Sequence, residues 1–518
     1  MNSRAITSTE SPDSLTIDSI TPSHEASTHP SINGENLLHR RDFWLLCLAT
    51  FVAVILSKAG ALLPGMSIDD YSFVFGNATG NTTYNLVAQG RGLNALLFLA
   101  LGYLNTSFTS INEFSFVLAS AMISLAIAGS ITLIKHEKIN RPYHYASAAL
   151  AATHPYLTSY FLFRMSLVNH ACVYATLFAS LCLIAGRKTL LRQLTCIVLL
   201  VACSHISQII LILFSISAGA WSLARYCRER KSGAPPLDAV QGIISLVVIL
   251  VAATALYFLS SALIRSIMHV NATPIYSIHV NGNILNSIQV IIKLACDALL
   301  FNETIIPYAL KLFLLTVMAV SIALCFAKDL RQGISCLVLL TCGTVATVST
   351  MALSWGYLVP RTFSPIGLCL ALTYCLACNH IKPNTARILS IALIIPTISF
   401  CFIGSSLFYQ QMLLTQWDQR TAVAIYNRFT QQVPEDTPIY IVASWPIHKQ
   451  PLSYNAPGIN ESAFLDKWAY PGLFATATGE KLNVKGGDRS MCNGIPAWPD
   501  PSSMKRLANG STLVCMTK

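Results

Sequence analysis

The chain predicts an all-α polytopic membrane protein with about eleven spanning helices and a small α/β region outside the membrane. Three observations carry this. Apolar types make up 53% of the 518 residues and charged types only 11%, against roughly 25% charged in an ordinary soluble domain. Mean hydropathy is +0.55, which leaves too little polar surface to coat a water-soluble globule. Apolar runs of spanning length recur along the chain, separated by short loops bearing Lys and Arg. A cytosolic enzyme, a disordered protein and a disulfide-stapled secreted domain are excluded on composition.

Taken in order, residues 1–40 are rich in Ser, Thr, Pro and Glu and cannot bury a core, so a disordered tail is expected. Arg40 and Arg41 precede the first span, 43–63, which places the N-terminus inside. Further spans are expected at 113–134, 145–161, 168–186, 238–261, 304–326, 332–353, 362–378 and 388–408. The stretch 193–224 lies between two basic clusters and must cross twice, in legs of about 24 Å at 1.5 Å per residue, around a polar turn at 204–208. The short apolar run 93–104 reads as an interfacial helix in the first outer loop, and 284–300 as another in a later one. Residues 409–518 are polar, with Pro and Gly punctuation, and are expected to form an outer domain.

The net charge of +11 follows the placement of positive loops on the inside rather than nucleic-acid binding, for which no motif is present. Most of the 16 cysteines sit in apolar runs and act as small hydrophobes, so no metal is expected. Cys492 and Cys515 are the only cysteines of the outer domain, where an oxidising compartment would favour a disulfide.

The segment richest in chemistry is the first outer loop, with Asp69-Asp70 and then Gln89-Gly90-Arg91-Gly92. Carboxylates near bilayer depth are costly and usually functional. From the spacing alone the pair serves as general base, metal ligand or helix cap. Arg91, Arg164 and Arg361 lie on the outer side against the positive-inside bias, and a guanidinium grips phosphate through paired hydrogen bonds. His205 and Gln208, at the turn of the short hairpin, are placed to line a cavity.

A polytopic chain with an acidic pair after its first span, followed by an interfacial helix, resembles the GT-C glycosyltransferases. More narrowly it resembles the serotype-converting O-antigen glucosyltransferases of enterobacteria and their phages (the glucosyl transferase type II family). The matching pieces are Asp69-Asp70, Gly90-Arg91, Ser207-Gln208, Pro360-Arg361 and Asp418–Arg420, spread over roughly residues 40–430. Where that family often has Tyr-Gln at the hairpin turn, Ser207 precedes Gln208 here.

The resemblance implies a GT-C-like transmembrane domain over 41–408, a cytoplasmic tail before it and a periplasmic domain over 409–518. It implies residence in a bacterial inner membrane and transfer of glucose from a polyprenyl-phosphate donor to O-antigen or another lipid-linked glycan, with inversion and without a cofactor. Asp69 or Asp70 would be catalytic, and Arg91, Arg164, His205, Gln208 and Arg361 would bind substrate. A flippase and a donor synthase would be partners. Two other functions fit a polytopic chain: a transporter or flippase for a lipid-linked sugar, and an O-antigen polymerase or ligase. Against the first, the chain lacks inverted halves; against the second, its acidic pair lies in the first loop.

Overall fold

The structure, a computed structural model, describes residues 40–71, 80–104, 110–135, 140–186, 189–231, 237–271, 284–301, 305–352, 360–430, 437–444 and 459–517. The tail expected over 1–40 lies outside the described residues except for Arg40. The first span is α1 (Arg41–Lys58), and the acidic pair lies in the single turn α2 (Ile68–Tyr71). Helices α3 (Gly80–Ala88) and α4 (Gly92–Tyr103) complete the first loop. The bundle continues through α5 (Asn112–Ile134), α6 (Pro142–Thr153), α7 (Pro155–Phe161), α8 (Leu167–Ala185), α9 (Leu190–Ser204), α10 (Ile209–Lys231) and α11 (Leu237–Ile267). After α12 (Ile284–Cys296) come α13 (Tyr308–Lys328), α14 (Leu330–Ala352), α15 (Ser364–Cys378), α16 (Pro383–Ala392) and α17 (Ile394–Thr430).

Among the described residues, nine helices are long and apolar enough to cross a membrane, which makes the chain a multi-pass, almost wholly helical membrane protein. The eleven expected spans differ from these nine at two places. Helix α9 has only 15 residues. The expected span 145–161 is broken into α6 and α7 at His154-Pro155. Proline brings no N–H and cannot continue α6; the chain restarts as α7, whose Leu157 and Thr158 amides donate to the His154 carbonyl. Lys58, fully buried at the end of α1, donates to the Thr153 carbonyl at 3.1 Å and to the His154 carbonyl at 3.4 Å. A cation at a helix C-terminus is the favourable sign there, and backbone away from water must be paired inside the protein. Sequence analysis passed over Lys58 because it ends an otherwise ordinary span.

Helix α5 lies at the bundle centre. Its buried residues include Ala119, Ala126, Ala128 and Gly129, small side chains that let neighbouring backbones approach between the larger Phe116, Ile123 and Ile131. Its serines close onto the preceding turn, Ser120 to Phe116 at 2.7 Å and Ser124 to Ser120 at 2.6 Å, which pairs these hydroxyls inside the apolar core.

The expected domain boundary at 409 falls inside α17. This helix runs on without a break and places Ala422, Ile425 and Phe429 in a second core. Around it fold α18 (Tyr470–Thr478) and a four-stranded sheet of β1 (Ile439–Val442), β2 (Val484–Gly486), β3 (Met504–Arg506) and β4 (Thr512–Cys515). The strand order is β2-β1-β4-β3, with β1 parallel to both its neighbours and β3 antiparallel to β4. A disulfide joins Cys492 to Cys515, with Cα atoms 5.8 Å apart. Ile68 and Tyr71 of α2 are buried in this same core, against Phe464, Leu473 and Phe474. The acidic pair is therefore built into the C-terminal domain as well as into the bundle.

Candidate functional site

The two adjacent carboxylates have different fates. Asp70 is fully buried. Its carboxyl accepts from the Ser67 amide at 2.8 Å, the Ser67 hydroxyl at 2.9 Å and the Met165 amide at 3.0 Å. It thus closes the first turn of α2 and ties that turn to the start of α8. Burial pushes the Asp70 carboxyl above the ordinary carboxylate range, against the pull of these donors and of the Arg164 charge. Asp69, one residue earlier and about 100° away around the turn, points out of this packing with 37% of its side chain exposed.

Asp69 faces Arg361, whose guanidinium lies 3.7 Å from its carboxylate. Arg361 sits in the 3-10 turn Pro360–Phe363 that opens α15. Its guanidinium lies over the Phe163 ring at 4.3 Å from the centroid, a cation–π placement that fixes its direction. A third group, Asp466, comes from the C-terminal domain. It follows the turn Ala463–Leu465, whose shape is set by fully buried residues. Asp418 of α17 accepts from the Ser462 hydroxyl at 2.5 Å and the Ala463 amide at 2.9 Å, and Ser462 in turn caps Phe464.

Burial and then the charge of Asp69 push the Asp466 carboxyl up to about 6. The folded value lies above the ordinary 3.8, so between the two the folded chain holds a proton that the unfolded chain has released. The stability contributed at this position is present below about pH 4 and is lost as pH rises through about 6. Asp466→Asn is expected to flatten the thermal unfolding midpoint across that window. An unchanged slope would mean that Asp466 is not the group titrating in that window.

The remaining predicted residues divide into two groups. His205 and Gln208 support the chain before Arg91. The His205 ring lies 3.1 Å from the Gly90 carbonyl through Nδ1 and 2.8 Å from the Ser260 hydroxyl through Nε2. The Gln208 amide donates to the Tyr257 hydroxyl at 2.7 Å and the Gln89 carbonyl at 3.3 Å. Gly90 has φ +77°, and a Cβ there would stand 2.6 Å from the Tyr257 hydroxyl, so only glycine makes this turn. The expected cavity-lining pair is thus engaged in clamping the 89–91 turn. Arg91 follows this turn and precedes the first residue of α4.

Arg164 belongs to the back of the site. It donates to the Leu63 carbonyl and its charge acts on Asp70. The structure therefore pairs Asp69 with Arg361, engages Asp70 and Arg164 in the fold around them, and uses His205 and Gln208 to hold the turn before Arg91. Asp466 was missed. For Asp466 the sequence held no signal, since it lies about 400 residues from Asp69 in an unremarkable polar stretch. The spacing Cys375-Leu-Ala-Cys378 lies in the apolar interior of α15, with both thiols free and buried. Among the described residues no group of three His, Cys, Asp or Glu is arranged to hold a metal ion.

The chain was compared with known proteins: no family model matches it, and no curated protein matches it either.

Proposed function

We propose that the chain is an inverting glycosyltransferase that moves glucose from a polyprenyl-phosphate donor to O-antigen or a related lipid-linked glycan. The observation that carries the reading is the pairing of a half-exposed Asp69 with Arg361 at 3.7 Å, while its neighbour Asp70 is consumed in the fold. A base and a phosphate-binding cation side by side are what this transfer needs.

In this reading Asp69 takes the proton of the acceptor hydroxyl as that oxygen bonds to the anomeric carbon. The bond from that carbon to the phosphate oxygen breaks on the opposite face, and the departing phosphate keeps the electron pair. Arg361 and Arg91 hold the phosphate as its charge grows, a contribution of about a hundredfold or more in rate for one well-placed group. The donor phosphate competes with Asp69 for Arg361, so binding frees the carboxylate for its role. Asp466 adds a second carboxyl whose titration feels the charge of Asp69. The site would face the periplasm of a bacterial inner membrane, with the N-terminus cytoplasmic and the bilayer holding the prenyl chain. The donor synthase and a flippase would supply it.

The test is sugar transfer in membranes that contain the protein. Polyprenyl phosphate carrying labelled glucose and a lipid-linked glycan acceptor are supplied, with membranes lacking the protein as control. Label appearing covalently in the glycan is the expected result. Label that changes sides of the bilayer but stays on its carrier would replace this reading with a flippase.

A further inference from the structure

At the end of the bundle away from the Asp69–Arg361 pair, a narrow cleft opens between α8, α9, α10 and α11. Helix α8 fixes its depth. Leu167 starts that helix beside Met165, whose amide binds Asp70, and Ile184 of the cleft lies near its other end, about 25 Å away at 1.5 Å per residue. The cleft encloses about 460 Å³ counting its open mouth, within the range of about 300–1,000 Å³ that holds small molecules. Its apolar walls include Ile184, Leu246 and Ile249. Apart from Ser245 and the Trp221 indole, its polar groups come from the start of α9: Thr189, Arg192 and Gln193. Among the described residues no carboxylate lines it.

Two glycines shape this cleft in opposite ways. Gly242, Leu246 and Ile249 share one face of α11 by their spacing. A Cβ on Gly242 would meet nothing within 4 Å, so this glycine serves no close packing and leaves the cleft open, against the helix preference. At Gly186, which ends α8, a Cβ would stand 1.8 Å from Arg192 Nη1. The missing side chain there lets the guanidinium lie against the end of α8, and this fixes where its charge stands. The rim faces lipid: Leu190, Leu191 and Leu194 of α9 and Val247 and Val248 of α11 are all exposed large apolar side chains. Helix α9 is also short, its 15 residues reaching about 22 Å against about 30 Å of hydrocarbon. With its far end tied to the first loop through His205, its start falls short of the opposite water surface. A cation at that depth must reach the headgroups or meet an anion. Beyond Trp221, α10 carries Arg225 and Arg228 one and two turns on along the same face. The acid of that helix, Glu229, is paired with Arg225 at 2.5 Å. A basic rim above apolar walls complements an anionic head on a hydrocarbon tail, and basic pockets between membrane helices take acidic lipid headgroups. A zwitterionic lipid offers the same tail but brings its own cation to the rim.

We propose that this cleft is a binding site for a bilayer phospholipid of net negative charge, with Arg192 on its phosphate and one acyl chain along Gly242, Leu246 and Ile249. The site stands apart from the transfer chemistry proposed above and does not rest on it. The bound chain completes the packing of the short α9 against α8 and α11.

The experiment is native mass spectrometry of the purified full-length protein in detergent. It is titrated with phosphatidylglycerol, with phosphatidylcholine of the same acyl chains, and with glycerol phosphate as the head group alone. Wild type is expected to bind its first phosphatidylglycerol about fivefold more tightly than its first phosphatidylcholine, the effect of one basic group at a lipid surface, and not to bind glycerol phosphate measurably. Arg192→Gln is expected to remove that preference, and Arg192→Lys to keep it. Gly242→Leu fills the open space with a good helix former and is expected to weaken both lipids about tenfold, the effect of excluding about two buried methylenes. Its unfolding temperature in lipid-free detergent is expected to be at or above wild type, which separates a filled cleft from a damaged fold. If neither Arg192→Gln nor Gly242→Leu alters lipid binding, lipid sits elsewhere and the proposal fails. If Arg192→Gln keeps the wild-type preference but unfolds at a lower temperature, Arg192 only closes the end of α8 and the proposal fails. Glycerol phosphate bound as tightly as phosphatidylglycerol would make this a site for a soluble anion and also overturn the proposal.

Discussion

Asp69→Asn is expected to lower sugar transfer by about a hundredfold to ten-thousandfold, the usual range for a general base, with the unfolding temperature close to wild type. Its side chain is half out of the fold, and its single ion pair with Arg361 is partly exposed on both sides. Such a pair adds little to stability, about 1 kcal/mol or less. Asp70→Asn is expected to behave in the opposite way. Its two oxygens receive three donors in a fully buried setting, and an amide turns one acceptor into a donor that faces them. The cost is about 1–3 kcal/mol for a buried group left unpaired, and α2 loosens from the start of α8. Transfer then falls together with stability. Measuring activity and unfolding temperature on both variants separates the base from its support; a thermally wild-type Asp70→Asn with no activity would reverse the assignment.

Gly472→Ala is expected to damage the site from 403 residues away in sequence. Gly472 lies in the first turns of α18 against the backbone of Tyr71, and a Cβ there would stand 1.7 Å from the Tyr71 carbonyl oxygen. That oxygen belongs to backbone and has no rotamer to yield, so α18 and α2 must separate. Overpacking of this kind costs about 1–3 kcal/mol. The displacement acts on the junction that brings Asp466 to Asp69, so the expected signature is a lower unfolding temperature together with loss of the Asp466 titration near pH 6. Neighbouring Ala475→Gly, which relieves nothing and adds no atom, serves as the control for helix weakening. An unshifted Gly472→Ala would mean that the C-terminal domain does not need its close seat on the first loop.

The helical membrane architecture was legible because apolar length is a local property of sequence, and α5, α8 and α13 lie close to their expected limits. The short helices α4 and α12 were legible for the same reason. The break at His154-Pro155 was not, because a proline in an apolar run is compatible with a kinked span, and the decision depends on Lys58 arriving from another helix. Nor was the length of α17, since its polar turns after 409 look like a domain on their own and become helix interior only by packing on the second core.

At the site, residue types were readable and their division of labour was not. Asp69 and Asp70 are chemically identical and adjacent; what separates them is the amide of Met165, 95 residues on. His205 and Gln208 were visible as polar residues in an apolar hairpin, but their partners Gly90 and Tyr257 lie on other elements. Asp466 acquires meaning only beside Asp69, and no local pattern marks it.

The most direct test of the central claim is the anomeric configuration of the transferred sugar. Purified protein is given a β-linked glucosyl phosphate prenol and a lipid-linked glycan, and the new linkage is read by the coupling of its anomeric proton. One displacement assisted by Asp69 must invert the carbon, so an α-linked glucose is the expected product, formed at least about a hundredfold more slowly with Asp69→Asn. A β-linked product, or α-transfer at the wild-type rate with Asp69→Asn, would contradict the account.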